Sequence, residues 1–106
     1  MPKYLITASY TAEGVKGLLK DGGSGRRAAV QKAIEGLGGK LDVFYYAFGQ
    51  HDVIAIGDLP DHASVAAISL MVNASGAVRT STTPLLTPEE IDGAVKKSVA
   101  YRAPGA

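Results

Sequence analysis

The chain contains no cysteine, which excludes disulfides, thiol nucleophiles, iron–sulfur clusters and Cys-ligated zinc together. It also lacks an excess of either charge: eleven Lys/Arg stand against ten Asp/Glu, a net charge of +1. Without a basic field, nucleic acid is not an expected partner. No apolar run is long enough to span a bilayer, and no signal-peptide stretch follows Met1-Pro2-Lys3. The expectation is a cytoplasmic protein that does not engage membranes. Internal repeats, low-complexity blocks and linkers are missing too, so the 106 residues read as one domain. At 46% hydrophobic and 20% charged, the composition is that of a folded globular chain. Folding at this size buries about two thirds of the unfolded surface, enough for one thin core.

Tyr4-Leu5-Ile6-Thr7-Ala8-Ser9-Tyr10 is dense in aromatic and β-branched residues and predicts a first strand. Thr11 stands at an N-cap position, with Val15, Leu18 and Leu19 at helical spacing behind it. Asp21-Gly22-Gly23 breaks that helix. A second stretch capped by Ser24 follows, with Ala28, Ala29, Ala33, Ile34 and Leu37 as its apolar stripe, so the two pieces form one bent connection. Lys40 to Phe48 and His51 to Asp58 read as two strands joined by a tight turn at Gly49-Gln50. Pro60 introduces a helix whose apolar residues are Val65, Ile68, Leu70, Met71 and Val72, with Met71 in the core. Ala77 to Leu86 is a threonine-rich strand, and Pro84 confines it to a sheet edge or ends it. Thr87-Pro88-Glu89-Glu90 carries a capping box and opens a last helix. Residues 1–97 form the domain, and 98–106 a flexible tail.

The order β-α-β-β-α-β followed by a C-terminal helix is an α+β fold of the ferredoxin-like, split-βαβ type, with helices on one face of an antiparallel sheet. Because side chains alternate, Phe44, Tyr46, Val53 and Ile54 cannot all turn toward those helices. An apolar bare face implies a partner, and two such sheets face to face make a dimeric α/β barrel.

Gly49-Gln50-His51-Asp52, with Gly76-Ala77-Val78-Arg79-Thr80 downstream, resembles the GYD domain family. The Leu37-Gly38-Gly39-Lys40-Leu41 junction and the helix starts at Thr11 and Thr87 are similar to it as well. The likeness spans roughly residues 3 to 97 and rests on several motifs in register. Where the family has Gly-x-Tyr-Asp, this chain has His51 in place of the tyrosine. The resemblance implies a dimeric α/β barrel more than any activity.

Two constellations could carry chemistry. His51 is the residue type best suited to acid–base work near neutral pH, and Asp52 beside it could orient or charge it. Strand alternation points the two side chains to opposite faces, so they form no direct couple unless a bulge intervenes, and Asp52 can equally anchor the hairpin by accepting backbone N–H groups. Tyr4, Tyr10, Tyr45 and Tyr46 with Arg79, Ser81 and Thr83 form the second set. Tyrosines sharing a cavity with an arginine would suit a small aromatic or carboxylate-bearing ligand; tyrosines packed on strands for their bulk alone are the other reading. Gly22-Gly23-Ser24-Gly25-Arg26-Arg27 lacks the Lys-Ser/Thr end of a phosphate loop and reads as a helix break. Asp58, Asp61 and His62 suit a helix start better than a metal site, so neither a metal nor another cofactor is expected. The leading expectation is a homodimer or higher homo-oligomer with a cavity for a small organic molecule. A cofactor-free isomerase or monooxygenase, or a metabolite sensor without catalysis, are the alternatives.

Overall fold

Four strands and three helices make up the computed structural model, which describes residues 1–106. They are β1 (Lys3–Tyr10), α1 (Ala12–Gly36), β2 (Lys40–Tyr46), β3 (Val53–Asp58), α2 (His62–Ala74), β4 (Val78–Leu85) and α3 (Pro88–Val95). The strands make one open sheet in the order β2-β3-β1-β4, antiparallel at every pairing. The architecture is α+β, with α1 packed over β2 and α2 over β4.

Alternation along the strands sorts the side chains into two faces. Tyr4, Ala8, Val53, Ala55 and Val78 are buried beneath the helices, joined there by Ile34 of α1 and by Leu59 and Val65. A bulge at Asp42, between Leu41 and Val43, resets β2. Leu41, Phe44 and Tyr46 then all pack against the helix-side core. Of the four residues that sequence alternation set in conflict, only Ile54 turns to the bare face. There it lies in register with Tyr45 and Thr7, and Thr7 in turn with Ser81. Ile56 occupies the next row with Val43, Leu5 and Thr83. At one end of this face Lys3 Nζ bridges Asp42 and Asp58, at 2.5 and 2.9 Å.

Several element boundaries differ from the sequence reading. β2 stops at Tyr46 rather than Phe48, and β3 starts at Val53 rather than His51. Asp52 is the cause: its carbonyl accepts the N–H of Ala47 at 2.9 Å and its own N–H donates to Ala8 at 2.8 Å. That closes the hairpin at 47 and 52 and leaves residues 48–51 outside as a loop, with Phe48 wholly exposed. The bend in α1 falls where expected, at Gly22, whose φ of 76° belongs to the left-handed side that glycine tolerates. Beyond it the inward row is Arg26, Val30 and Ile34, at steps of four. The predicted stripe residues Ala28, Ala29, Ala33 and Leu37 are exposed.

In α2, Asp61 caps the helix by accepting the N–H of Ser64 at 2.7 Å, a bond that holds its carboxyl below the ordinary range. Val65, Ile68 and Val72 face the sheet, whereas Met71 is 75% exposed. Met71 is therefore not core, because it sits one position outside that row. Pro84 lies on β4, an edge strand, where its missing N–H costs no ladder bond. The capping box of α3 is formed: Thr87 Oγ1 accepts the Glu90 N–H at 3.1 Å, and Glu90 Oε1 accepts that of Thr87 at 3.0 Å. No residue of α3 is buried, and Leu86, Ile91, Val95, Val99 and Tyr101 are all exposed. The chain's radius of gyration is 17.0 Å, against about 13 Å for a compact domain of this length; the segment beyond β4 stands away from the body as an arm.

Candidate functional site

The residues singled out from sequence do not all converge on one place. Tyr4 is 1% exposed and its phenol meets His62 Nδ1 at 2.6 Å, the two rings edge to face. It is a core residue whose polar tip is satisfied by the first turn of α2. Arg79, Ser81 and Thr83 lie on β4 toward the bare face, as Tyr45 does on β2, on the side opposite the buried tyrosine. His51 sits half-buried in the loop between β2 and β3. Its neighbour Asp52 points elsewhere, Oδ2 accepting the backbone N–H of Tyr10 at 2.8 Å. The Asp52 carboxylate is thus engaged by Tyr10, and Arg79 lies on the edge strand β4 in register with Ser9.

What does come together is Tyr10, Tyr46 and Asp52. They line a cleft of about 470 Å³ between the kink of α1 and the base of the β2–β3 loop. Val15 and Leu18 from the first half of α1, with Ala47 and Phe48 from the loop, supply its apolar walls. The kink makes this possible. Gly23 lets the Tyr46 ring approach to 3.1 Å of where a Cβ would stand, and Tyr46 Oη donates to the Gly23 carbonyl at 3.0 Å. Burial pushes the Tyr46 phenol above its ordinary pKa, the phenol of Tyr10 adding to the rise while Arg26 and Arg27 oppose it. The phenol stays protonated and a donor at neutral pH. His51 is not among the residues that line this cleft.

Tyr10 also lines a second space, a partly open cavity of about 80 Å³ between sheet and helices. Ile6, Val30, Phe44, Ile68 and Val72 are among its apolar walls, and Arg26 is its one charged residue. Arg26, Val72 and Val78 line in addition an outer recess of about 280 Å³ beside Glu13 and Asp21. Arg79 lines none of these spaces; Arg27 shares outer recesses with Tyr45 and Tyr46, and the arginine that shares the inner cavity with Tyr10 is Arg26. The sequence signal for it was present: Arg26 stands four residues before Val30 and eight before Ile34, on the inward row of the helix. Phe48, Val15 and Leu18 were likewise missed as site residues, since only the kink brings the loop against the first half of α1.

No three His, Cys, Asp or Glu side chains gather into a metal-binding group. Asp58 is engaged by Lys3, Asp61 by the cap of α2 and His62 by Tyr4. No helix is long and apolar enough to cross a membrane.

An open antiparallel sheet with helices on one face, and a cleft at the kink of the first helix, defines a small α+β protein. The GYD domain matches this chain over residues 4–95, and the chain belongs to that family. No curated protein and no solved structure matches it.

Proposed function

We propose that this protein is a homodimer that binds a small organic molecule on the helix-covered side of its sheet and pairs through the bare side. The cleft carries the binding half of the reading. Its volume of about 470 Å³ lies within the roughly 300–1,000 Å³ of small-molecule sites, which combine apolar walls with a few placed polar groups. Tyr10, Tyr46 and Asp52 are those groups. The arrangement suits a compact apolar or aromatic molecule with one polar end. It favours binding over turnover, because the carboxylate already serves a backbone N–H and the remaining polar groups are phenols.

The element order and the strand order β2-β3-β1-β4 support the ferredoxin-like arrangement. The bare face, with Leu5, Val43, Tyr45, Ile54 and Ile56 across three strands, supports pairing with a second copy as a dimeric α/β barrel. A two-fold interface is self-complementary, and a stable one buries about 1,600 Å² in total. The exposed apolar residues of the arm beyond β4 add surface that a second copy can cover. The cytoplasm is the proposed setting, since a chain free of cysteine needs no oxidising compartment.

Native mass spectrometry of the freshly purified full chain tests both halves at once. The expected species is two chains with a retained small organic mass; a bare monomer would overturn the reading.

A further inference from the structure

The cleft of about 470 Å³ at the kink of α1 is lined by apolar side chains and two phenols, and Asp52 is its only side chain of a charged type. The hydrogen-bond donors around it are largely spent. Tyr46 Oη donates to the Gly23 carbonyl and the Tyr10 N–H to Asp52 Oδ2. The N–H of Ala47 goes to the Asp52 carbonyl, and that of Asp52 to Ala8. What is left over is acceptor capacity. A carboxylate has about four lone-pair sites; Oδ2 uses one on Tyr10, and Oδ1 takes no protein donor. No sealed-off side-chain atom lacks a partner, so Oδ1 is open. The Tyr10 phenol sits beside that of Tyr46 and, as a hydroxyl, accepts as readily as it donates. Arg26 and Arg27 act on the Tyr46 phenol but line other spaces: Arg26 shares the outer recess with its ion partner Asp21, and Arg27 opens on recesses beside Tyr45.

Resting on the small-molecule reading above, we infer that the molecule bound in this cleft is an organic amine, an ammonium group on a compact apolar or aromatic body, with Asp52 as the partner of its charge. An alkyl ammonium is protonated at neutral pH, as a lysine is, and brings three donors and no acceptor, the complement of what the cleft leaves unused. The rings of Tyr10, Tyr46 and Phe48 line the same space, and aromatic faces attract a cation while packing the body attached to it. Val15 and Leu18 close the apolar side. Asp52 can serve both roles at once, Oδ2 holding the Tyr10 N–H and Oδ1 taking the ligand. Organic acids and phosphate esters are disfavoured, because their charge would repel that of Asp52 and no cation lines the cleft to receive it.

Isothermal titration of the full chain at neutral pH with 2-phenylethylamine, with its neutral isostere 2-phenylethanol and with phenylacetate tests the inference. The wild-type protein should bind the amine about tenfold or more tighter than the alcohol, since a charge-assisted hydrogen bond is the stronger kind, and the acid most weakly. Asp52→Asn keeps an acceptor for the Tyr10 N–H and removes the charge. It should abolish the preference for the amine while leaving the alcohol within about twofold, with circular dichroism checking that the variant is folded. Asp21→Asn, which removes an anion outside the cleft, should leave all three affinities unchanged. Equal affinities for amine and alcohol in the wild type, or tighter binding of the acid, would overturn the amine assignment while leaving the binding site intact, and this comparison needs no variant. An amine preference that survives Asp52→Asn, or one lost equally in Asp21→Asn, would overturn the role of Asp52. If no probe binds, the small-molecule reading itself falls and this inference with it.

Discussion

Asp52 Oδ2 accepts the backbone N–H of Tyr10 at 2.8 Å. One side chain thereby ties the loop between β2 and β3 to the last residue of β1, beyond the final β1–β3 register pair at Ala8 and Val53. Tyr10 is the residue shared by cleft and cavity, so this bond fixes the wall between them. Asp52→Ala leaves the Tyr10 N–H without its acceptor and is expected to cost about 1–3 kcal/mol. Asp52→Asn keeps an acceptor oxygen and should lose less. Urea unfolding of the two variants measures the difference; equal stability of Asp52→Ala and the wild type would contradict the anchoring role.

A second prediction concerns the start of α1. A Cβ on Gly14 would collide with the carbonyl oxygen of Ala77 and come within 2.8 Å of Tyr10 Cδ1. That same carbonyl accepts the Thr11 N–H at 3.0 Å, so it cannot retreat without breaking a bond at the helix cap. Gly14→Ala is expected to destabilise by at least about 1–3 kcal/mol through overpacking, although alanine is the better helix former. Thermal unfolding checks this. Gly17→Ala, which meets nothing, is the control and should be neutral or stabilising.

The Tyr46 phenol gives the fold a pH dependence. Its folded pKa is raised above the ordinary value of 10.0, chiefly by burial. A raised pKa means the folded state holds its proton more tightly than the unfolded state. The corresponding stability is complete below pH 10 and is lost as pH rises through the folded pKa. Urea midpoints between pH 9 and pH 11.5 should therefore fall for the wild type. In Tyr46→Phe they should fall less steeply, from a starting value lowered by the lost bond to Gly23. Parallel pH profiles for the two proteins would contradict this.

The order and type of all seven elements, the kink at Gly22, the edge position of Pro84 and the capping box at Thr87 were legible in the sequence because each depends on local chemistry. Gly22 needs a positive φ, Pro84 lacks an N–H, and Thr87 and Glu90 bond across one turn. The site was not legible in the same way. Arg26 and Tyr10 are far apart in sequence and line one cavity only because the kinked helix packs back on the sheet. Tyr4 looked like a ligand contact, since nothing local tells that His62 would take its hydroxyl. Leu41 shares a face with Phe44 and Tyr46 only through the bulge at Asp42, which a regular two-residue period does not contain.

Ile54 tests the pairing of sheets. It is 39% exposed on the bare face, level with Tyr45, and contributes nothing to the helix-side core. Ile54→Asp should abolish self-association at micromolar concentration while the chain stays folded, as read by sedimentation equilibrium and circular dichroism. Retained dimers would show that the bare face is not the interface.

The central claim is that a small organic molecule binds on the helix side of the sheet. The most direct measurement is a ¹⁵N chemical-shift titration of the labelled full chain with 2-phenylethylamine. The account predicts saturable shifts concentrated at Tyr10, Gly23 and Phe48, with Leu5, Tyr45 and Ile54 unmoved. Saturable shifts confined to Leu5, Tyr45 and Ile54, or no saturation anywhere, would contradict it.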